Sequence, residues 1–179
     1  MLTTNRLARE ILIALPDTPE DLYLLHQQVW QHAKRAAVPS HRPTFLYRVD
    51  EGVVRVRSRD FVRGRAQALS EGPCSLDLAA VIQEDGGGQR AVPPDDLATW
   101  AESKLKRSGV RPGRLCVVSY CVQRGSKIDR ATGRHHRITL PVARVSFDLE
   151  VEDEALADLA WREGIGRGRR FGLGMLCKT

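Results

Sequence analysis

Near the N-terminus, Tyr23, His26, Trp30 and Lys34 recur at three- and four-residue steps, the spacing that places side chains on one face of a helix. An imidazole beside a phenol and an ammonium suits proton transfer next to a phosphate. The same stripe also reads as a helix edge on which Trp30 packs and the polar groups are solvated. Near the C-terminus, residues 164–178 hold five glycines (Gly164, Gly166, Gly168, Gly172, Gly174) and four cations (Arg167, Arg169, Arg170, Lys178). Glycines let backbone amides approach an anion, and guanidinium forks match phosphate oxygens. Between Arg111 and Arg144, eight Lys/Arg face one acid, Asp129. Arg124, Lys127, Arg130, Arg134 and Arg137 crowd into one expected hairpin beside His135 and His136, a stronger signal for a nucleic-acid backbone. A mobile basic loop is the alternative there. Arg55, Arg57 and Arg59 alternate with Val54, Val56 and Ser58, so three guanidiniums share one strand face, set either to track phosphates or to meet solvent.

The charge supports an anionic partner. Residues 1–100 hold 12 Lys/Arg against 13 Asp/Glu, and residues 101–179 hold 16 against 9, so the whole net +6 comes from the second half. This asymmetry favours nucleic acid or an anionic membrane surface over a general solubility charge. No apolar run reaches the length of a membrane span and no signal segment is visible, so a soluble, cytoplasmic protein is expected. Cys74, Cys116, Cys121 and Cys177 form no C-x-x-C pair. A zinc site joining cysteines to His135 and His136 is conceivable, but buried free thiols are the expectation, with no metal and no cofactor.

These groups need a scaffold. Residues 6–15 read as a strand, and Thr18-Pro19-Glu20 opens a helix running to Ala36, with Thr18 as cap and Leu22, Leu25, Val29 and Ala36 as its core stripe. Strands over 44–50 and 53–59 meet at Asp50-Glu51-Gly52, a fourth strand covers 75–83, and residues 61–70 are a candidate second helix. The Gly86-Gly87-Gly88 and Pro93-Pro94 stretch reads as a linker. A helix over 95–108, a strand over 115–123, a basic turn over 124–137, a strand over 138–151 and a helix over 153–163 follow. The pattern fits an α+β fold of two small units, 1–85 and 95–179, joined by 86–94. The tight turn at 50–52 argues for antiparallel pairing rather than a parallel sheet.

Asp21-Leu22-Tyr23-Leu24-Leu25-His26-Gln27-Gln28-Val29-Trp30 resembles the D-x-Y-x-L-H-x-x-x-W segment of the CasE-type CRISPR repeat-RNA endoribonucleases of type I-E systems. Phe45-Leu46-Tyr47-Arg48-Val49 is similar to their next strand, and residues 164–176 to their closing G-I-G-x-x-K-x-x-G-x-G-L-L loop. Trp100 and Val145-Ser146-Phe147 agree as well. The resemblance implies two tandem ferredoxin-like (RRM-like) domains and a CRISPR repeat stem-loop gripped by the basic hairpin and the glycine loop. It also implies cleavage without metal at the base of the stem, a 2′-hydroxyl attacking the adjacent phosphate to leave a 2′,3′-cyclic phosphate. The product would stay bound in a Cascade-like complex. On this reading His26 is the general acid or base, Tyr23 orients or assists it, and Lys34 or Arg35 steadies charge on phosphorus, since relatives' lysine five places after the histidine is Gln31 here. A catalytically silent RNA-binding subunit and an unrelated basic α+β module are the competing readings.

Overall fold

The computed structural model describes residues 7–39, 42–128 and 132–179. The first expected strand therefore begins outside the described residues, and so does Arg130.

Strand β1 (Ala8–Ala14), helix α1 (Leu22–Ala36) and strands β2 (Leu46–Asp50), β3 (Val53–Ser58) and β4 (Arg65–Gln67) form the first unit. Its sheet runs β2-β3-β1-β4, antiparallel throughout. The β2–β3 turn has Glu51 at φ 46° and Gly52 at φ 79°, two left-handed residues that match the twist of a tight hairpin. Leu22, Leu25, Val29, Ala33 and Ala36 of α1 are buried, and four of them join Ile13, Tyr47, Val54 and Val56 in one core. The helix starts later than expected. Asp21, not Thr18, caps it, because the Thr18 hydroxyl is spent on the Leu15 carbonyl at 2.6 Å. The second helix expected over 61–70 does not form. Phe61 is buried and bridges back to Ala37, and Gly64, at φ +104°, packs directly on the Glu10 carbonyl before β4 begins.

The second unit contains β5 (Gly72–Ala79), β6 (Val81–Gln83), β7 (Gln89–Ala91), α2 (Leu97–Lys106), β8 (Val110–Ile128), β9 (His135–Val151), α3 (Glu154–Glu163) and β10 (Cys177–Lys178). Its main sheet runs β10-β5-β9-β8, all antiparallel, so β5-α2-β8-β9-α3-β10 is a complete ferredoxin-like unit. The first unit is the same design without its second helix. The expected boundary at 86–94 is corrected by this pairing. Strand β5, expected as the fourth strand of the first unit, pairs with β9 from Gly72↔Leu149 to Ala79↔Val142 and buries Cys74, Leu76 and Leu78 in the second core with Leu105 and Trp161. The division between the sheets thus falls between Gln67 and Gly72, and the glycine-rich "linker" is the turn of a β6–β7 ribbon.

Among the contacts between the units, two surfaces stand out. The face of the first sheet turned away from α1 carries Leu46, Arg48 and Arg57, which meet Met175, Cys177, Ser75 and the Leu176 carbonyl of the second unit, with Glu10 bonded to Arg57 beside them. The β8–β9 hairpin is longer than its sheet needs, and its far half lies on the start of α1. There the Ser126 amide and hydroxyl donate to Asp21 Oδ2 at 2.7 and 3.0 Å. Most of the expected basic turn is therefore paired strand, from Arg124↔Thr139 to Ile128↔His135.

Candidate active site

His26 projects from the second turn of α1, half-buried, over an aromatic shelf. Its ring stacks on Phe45 at 5.9 Å between centroids and 17° between planes, and Tyr47 lies 6.2 Å away. Phe45 and Tyr47 alternate along the chain and so share a face. The Nδ1 atom of His26 is buried without a hydrogen-bond partner. Burial pushes the imidazole pKa below 6.5, the Arg170 guanidinium pushes it the same way, and the Arg170 carbonyl pulls weakly back. The ring is therefore held neutral at pH 7, the form that accepts a proton.

Around it opens a cleft of about 590 Å³, lined by Tyr23, Trp30, Arg42, Phe45, Lys127, Arg169, Arg170 and Phe171 among others. Three distant segments meet here. Tyr23 lies one turn before His26 on α1. Lys127 comes from the hairpin, on the same strand face as Ile138 because Gly125 pairs with Ile138 and Lys127 with His136. Arg169 and Arg170 come from the glycine loop, as a short 3-10 turn, Arg169–Phe171.

The glycine loop works differently from the amide cradle its composition suggests. Several of its amides are engaged within the protein: Ile165 N donates to the Gly174 carbonyl at 2.8 Å, Phe171 N to Gly168 at 2.7 Å, and Gly174 N to Asp77 of β5 at 2.7 Å. The glycines permit close approach instead. Gly172 sits at φ +82° with the Tyr47 ring 2.8 Å from where a Cβ would stand, and a Cβ on Gly174 would collide with the Ile165 carbonyl. Gly164 and Gly168 are likewise crowded by Leu46 and Leu173, whereas Gly166 has only Leu78 nearby, at 3.6 Å. Into the cleft the loop brings the side chains of Arg169, Arg170 and Phe171.

The expected site residues divide accordingly. Tyr23, His26, Lys127, Arg169 and Arg170 meet in the cleft. Arg124 lines a neighbouring hollow with Leu22 and Phe171. Arg134, His135, His136 and Arg137 are exposed on the outer hairpin, and Arg167 lies apart, beside Trp100 and Lys104. Lys34 does not join the cleft. It is exposed, its ammonium 5.8 Å from the Trp30 ring centroid, because eight residues of helix carry it about 12 Å along the axis from His26. Lys127, Arg169 and Arg170 line the cleft instead, and of these Arg170 acts on His26. Arg57, on the strand face expected to meet phosphate or solvent, is 1% exposed and sealed between the units. Arg42 and Phe45 were missed, although the Phe45–Tyr47 alternation carried the signal for the shelf. Of the four cysteines, Cys74 and Cys177 are buried, but Cys116 and Cys121 are exposed, because β8 is an edge strand.

A family model described as CRISPR associated protein matches residues 80–177, more than half of the chain. In structure, the chain is similar to CRISPR endoribonuclease Cse3 bound to 19 nt RNA, with a TM-score of 0.73 and 20% identity over 96% of this chain and 97% of that one. It is similar to Thermus thermophilus Cse3 bound to an RNA representing a pre-cleavage complex, with a TM-score of 0.66 and 18% identity over 96% and 97%. It also matches a chain of a CRISPR RNA-guided surveillance complex, with a TM-score of 0.63 and 14% identity over 96% and 97%. At these identities the likeness is one of fold. No curated protein matches by sequence. With two ferredoxin-like units closed by a glycine loop, and a family model spanning most of the second unit, this chain belongs to the CRISPR associated protein family.

Proposed function

We propose that this protein is an endoribonuclease that cuts precursor CRISPR RNA at the base of the repeat stem-loop, without metal, and stays bound to the mature guide in a surveillance complex. The observation that carries this reading is a half-buried histidine, its pKa lowered by burial, in a cleft lined by Arg42, Lys127, Arg169 and Arg170. His26 takes the proton of a ribose 2′-hydroxyl, and the oxygen attacks the adjacent phosphorus. Arg170 and Lys127 offset the charge that develops on the phosphoryl oxygens. The 5′-oxygen leaves and takes a proton from water, and His26 gives its proton back to solvent, so the products are a 2′,3′-cyclic phosphate and a 5′-hydroxyl end. Tyr23 orients the attacking ribose beside His26. Arg124, Arg134 and Arg137 hold the stem through its phosphates, a mode suited to duplex RNA, whose deep major groove side chains read poorly. Similarity to Cse3 chains bound to RNA and to a chain of a surveillance complex supports both halves of the reading.

The test is cleavage of a repeat hairpin in EDTA. The wild type is expected to cut once at the base of the stem and leave a cyclic phosphate. His26→Ala is expected to bind with unchanged affinity while cutting about 10²–10⁴-fold more slowly. A metal requirement, or full activity in His26→Ala, would overturn the mechanism; binding without cleavage by the wild type would leave an RNA-holding subunit.

A further inference from the structure

Arg170 is exposed, and it reaches His26 from a loop belonging to the other unit. Something must therefore set the height of that loop over α1. The segment leaves α3 after Glu163, just beyond Trp161, and returns to β10 through Leu176. One side chain from the first sheet bonds both roots. Arg57 Nη1 donates to the Trp161 carbonyl at 3.2 Å and Nη2 to the Leu176 carbonyl at 2.8 Å. The guanidinium carbon lies 3.3 Å from the Trp161 ring centre, and Nε and Nη2 meet Glu10 Oε1 at 2.7 and 2.5 Å. Serving two carbonyls, a carboxylate and a ring face together is a task for a rigid planar fork; a lysine ammonium has no equivalent geometry. Burial at 1% exposure rules out contact between Arg57 and RNA.

The tip of the loop is held as well. Tyr47 Oη donates to the Arg170 carbonyl at 3.1 Å, and the ring of this fully buried tyrosine packs under Gly172. Arg57 and Tyr47 stand on neighbouring strands but on opposite faces of the sheet, since Tyr47 packs in the α1 core and Arg57 meets the second unit. Strand β2 is an edge strand. The loop thus wraps around that edge and is pinned on both sides of it.

The geometry points to Arg57 and Tyr47 as positioning residues of the cleavage site, a two-point staple that fixes Arg170 beside His26 and makes the contact between the units part of the active geometry. This inference rests on the cleavage reading for its kinetic consequence but not for its structural one. The groups around His26 are Tyr23 on its own helix, Tyr47 and Arg42 at β2 and just before it, Lys127 on the hairpin, and Arg169 and Arg170 on the loop. Tyr47 is itself one point of the staple, and Arg169 and Arg170 sit on the loop that the staple holds.

Two variants test it. Tyr47→Phe deletes one hydroxyl and keeps the ring; Arg57→Lys keeps a cation for Glu10 but loses the fork. The readouts are the NMR titration of His26 in the RNA-free protein, and single-turnover cleavage alongside RNA affinity. In both variants the His26 titration is expected to move up towards 6.5. Cleavage is expected to slow on the order of tenfold to a hundredfold with affinity unchanged, because ångström-scale misplacement is costly in the transition state and not in binding by the hairpin. A purely structural role would lower the melting temperature and leave the titration in place. If Arg57→Lys does not fold, Tyr47→Phe decides alone, and a wild-type titration with wild-type cleavage in that variant overturns the staple. Absence of RNA cleavage by the wild type would refute the cleavage reading, while the titration would still decide the staple.

Discussion

Two influences on His26 act in the same direction, and their order matters. Burial on the Phe45–Tyr47 shelf is the larger cause of its lowered pKa, and the Arg170 guanidinium adds to it. A base with a lowered pKa keeps its proton-accepting form at lower pH, so the acidic limb of the cleavage profile is expected below pH 6.5. Replacing Arg170 with alanine, an exposed position that the folded core does not need, should move that limb up part of the way towards 6.5. It should not arrive there, because burial remains. The pH dependence of single-turnover cleavage checks this, and a limb that stays in place would show that Arg170 does not act on His26. The rate of Arg170→Ala at its own optimum should also fall, since on the proposed mechanism this cation offsets charge on the phosphoryl oxygens.

At the scale of elements, α1 and the β8–β9 hairpin are joined through one carboxylate. Asp21 Oδ1 accepts from the Tyr23 and Leu24 amides at 2.8 and 3.1 Å, the usual N-cap arrangement, while Oδ2 holds Ser126. Gly125 makes the approach possible, for a Cβ there would stand 3.0 Å from that of Leu22. The cap of α1 is therefore also the dock of the basic hairpin, whose Lys127 lines the cleft. Asp21→Ala should cost about 1 kcal/mol through removal of the cap. It should also free the Ser126 amide, read as faster hydrogen exchange at that residue while core amides such as Val29 keep their protection. Unchanged protection at Ser126 would refute the docking role.

Across the whole molecule, the two units divide the work. The first supplies His26 and Tyr23, and the second supplies Lys127, Arg169 and Arg170, on a hairpin and a loop that converge on the first unit's helix. Substrate affinity should then be largely electrostatic, and chemistry should depend on how the halves meet. Changing Arg124, Arg134 and Arg137 together to glutamine is expected to weaken RNA binding and to flatten the dependence of log affinity on log salt by about one unit for each phosphate that is no longer neutralised. Cleavage at saturating protein should change much less, because none of the three lines the cleft. Binding titrations over a salt series check this, and a slope equal to that of the wild type would exclude the hairpin from the RNA interface.

The sequence alone determined what is local or periodic. The stripe of Leu22, Leu25, Val29 and Ala36 identified the buried face of α1, and the same geometry put Tyr23 and His26 together on another face. The turn at Glu51-Gly52 and the charge excess of the second half were equally legible, as were the motifs carrying the family resemblance. Tertiary structure decided which sheet β5 joins, which cation stands beside His26, and that Arg57 is a buried clamp rather than a phosphate contact. The reason is physical. Periodicity records which side chains share a face, but a strand's partner and a side chain's burial depend on surfaces contributed by residues far along the chain. Arg170 lies well over a hundred residues from His26, and only the packing of one unit on the other brings them together.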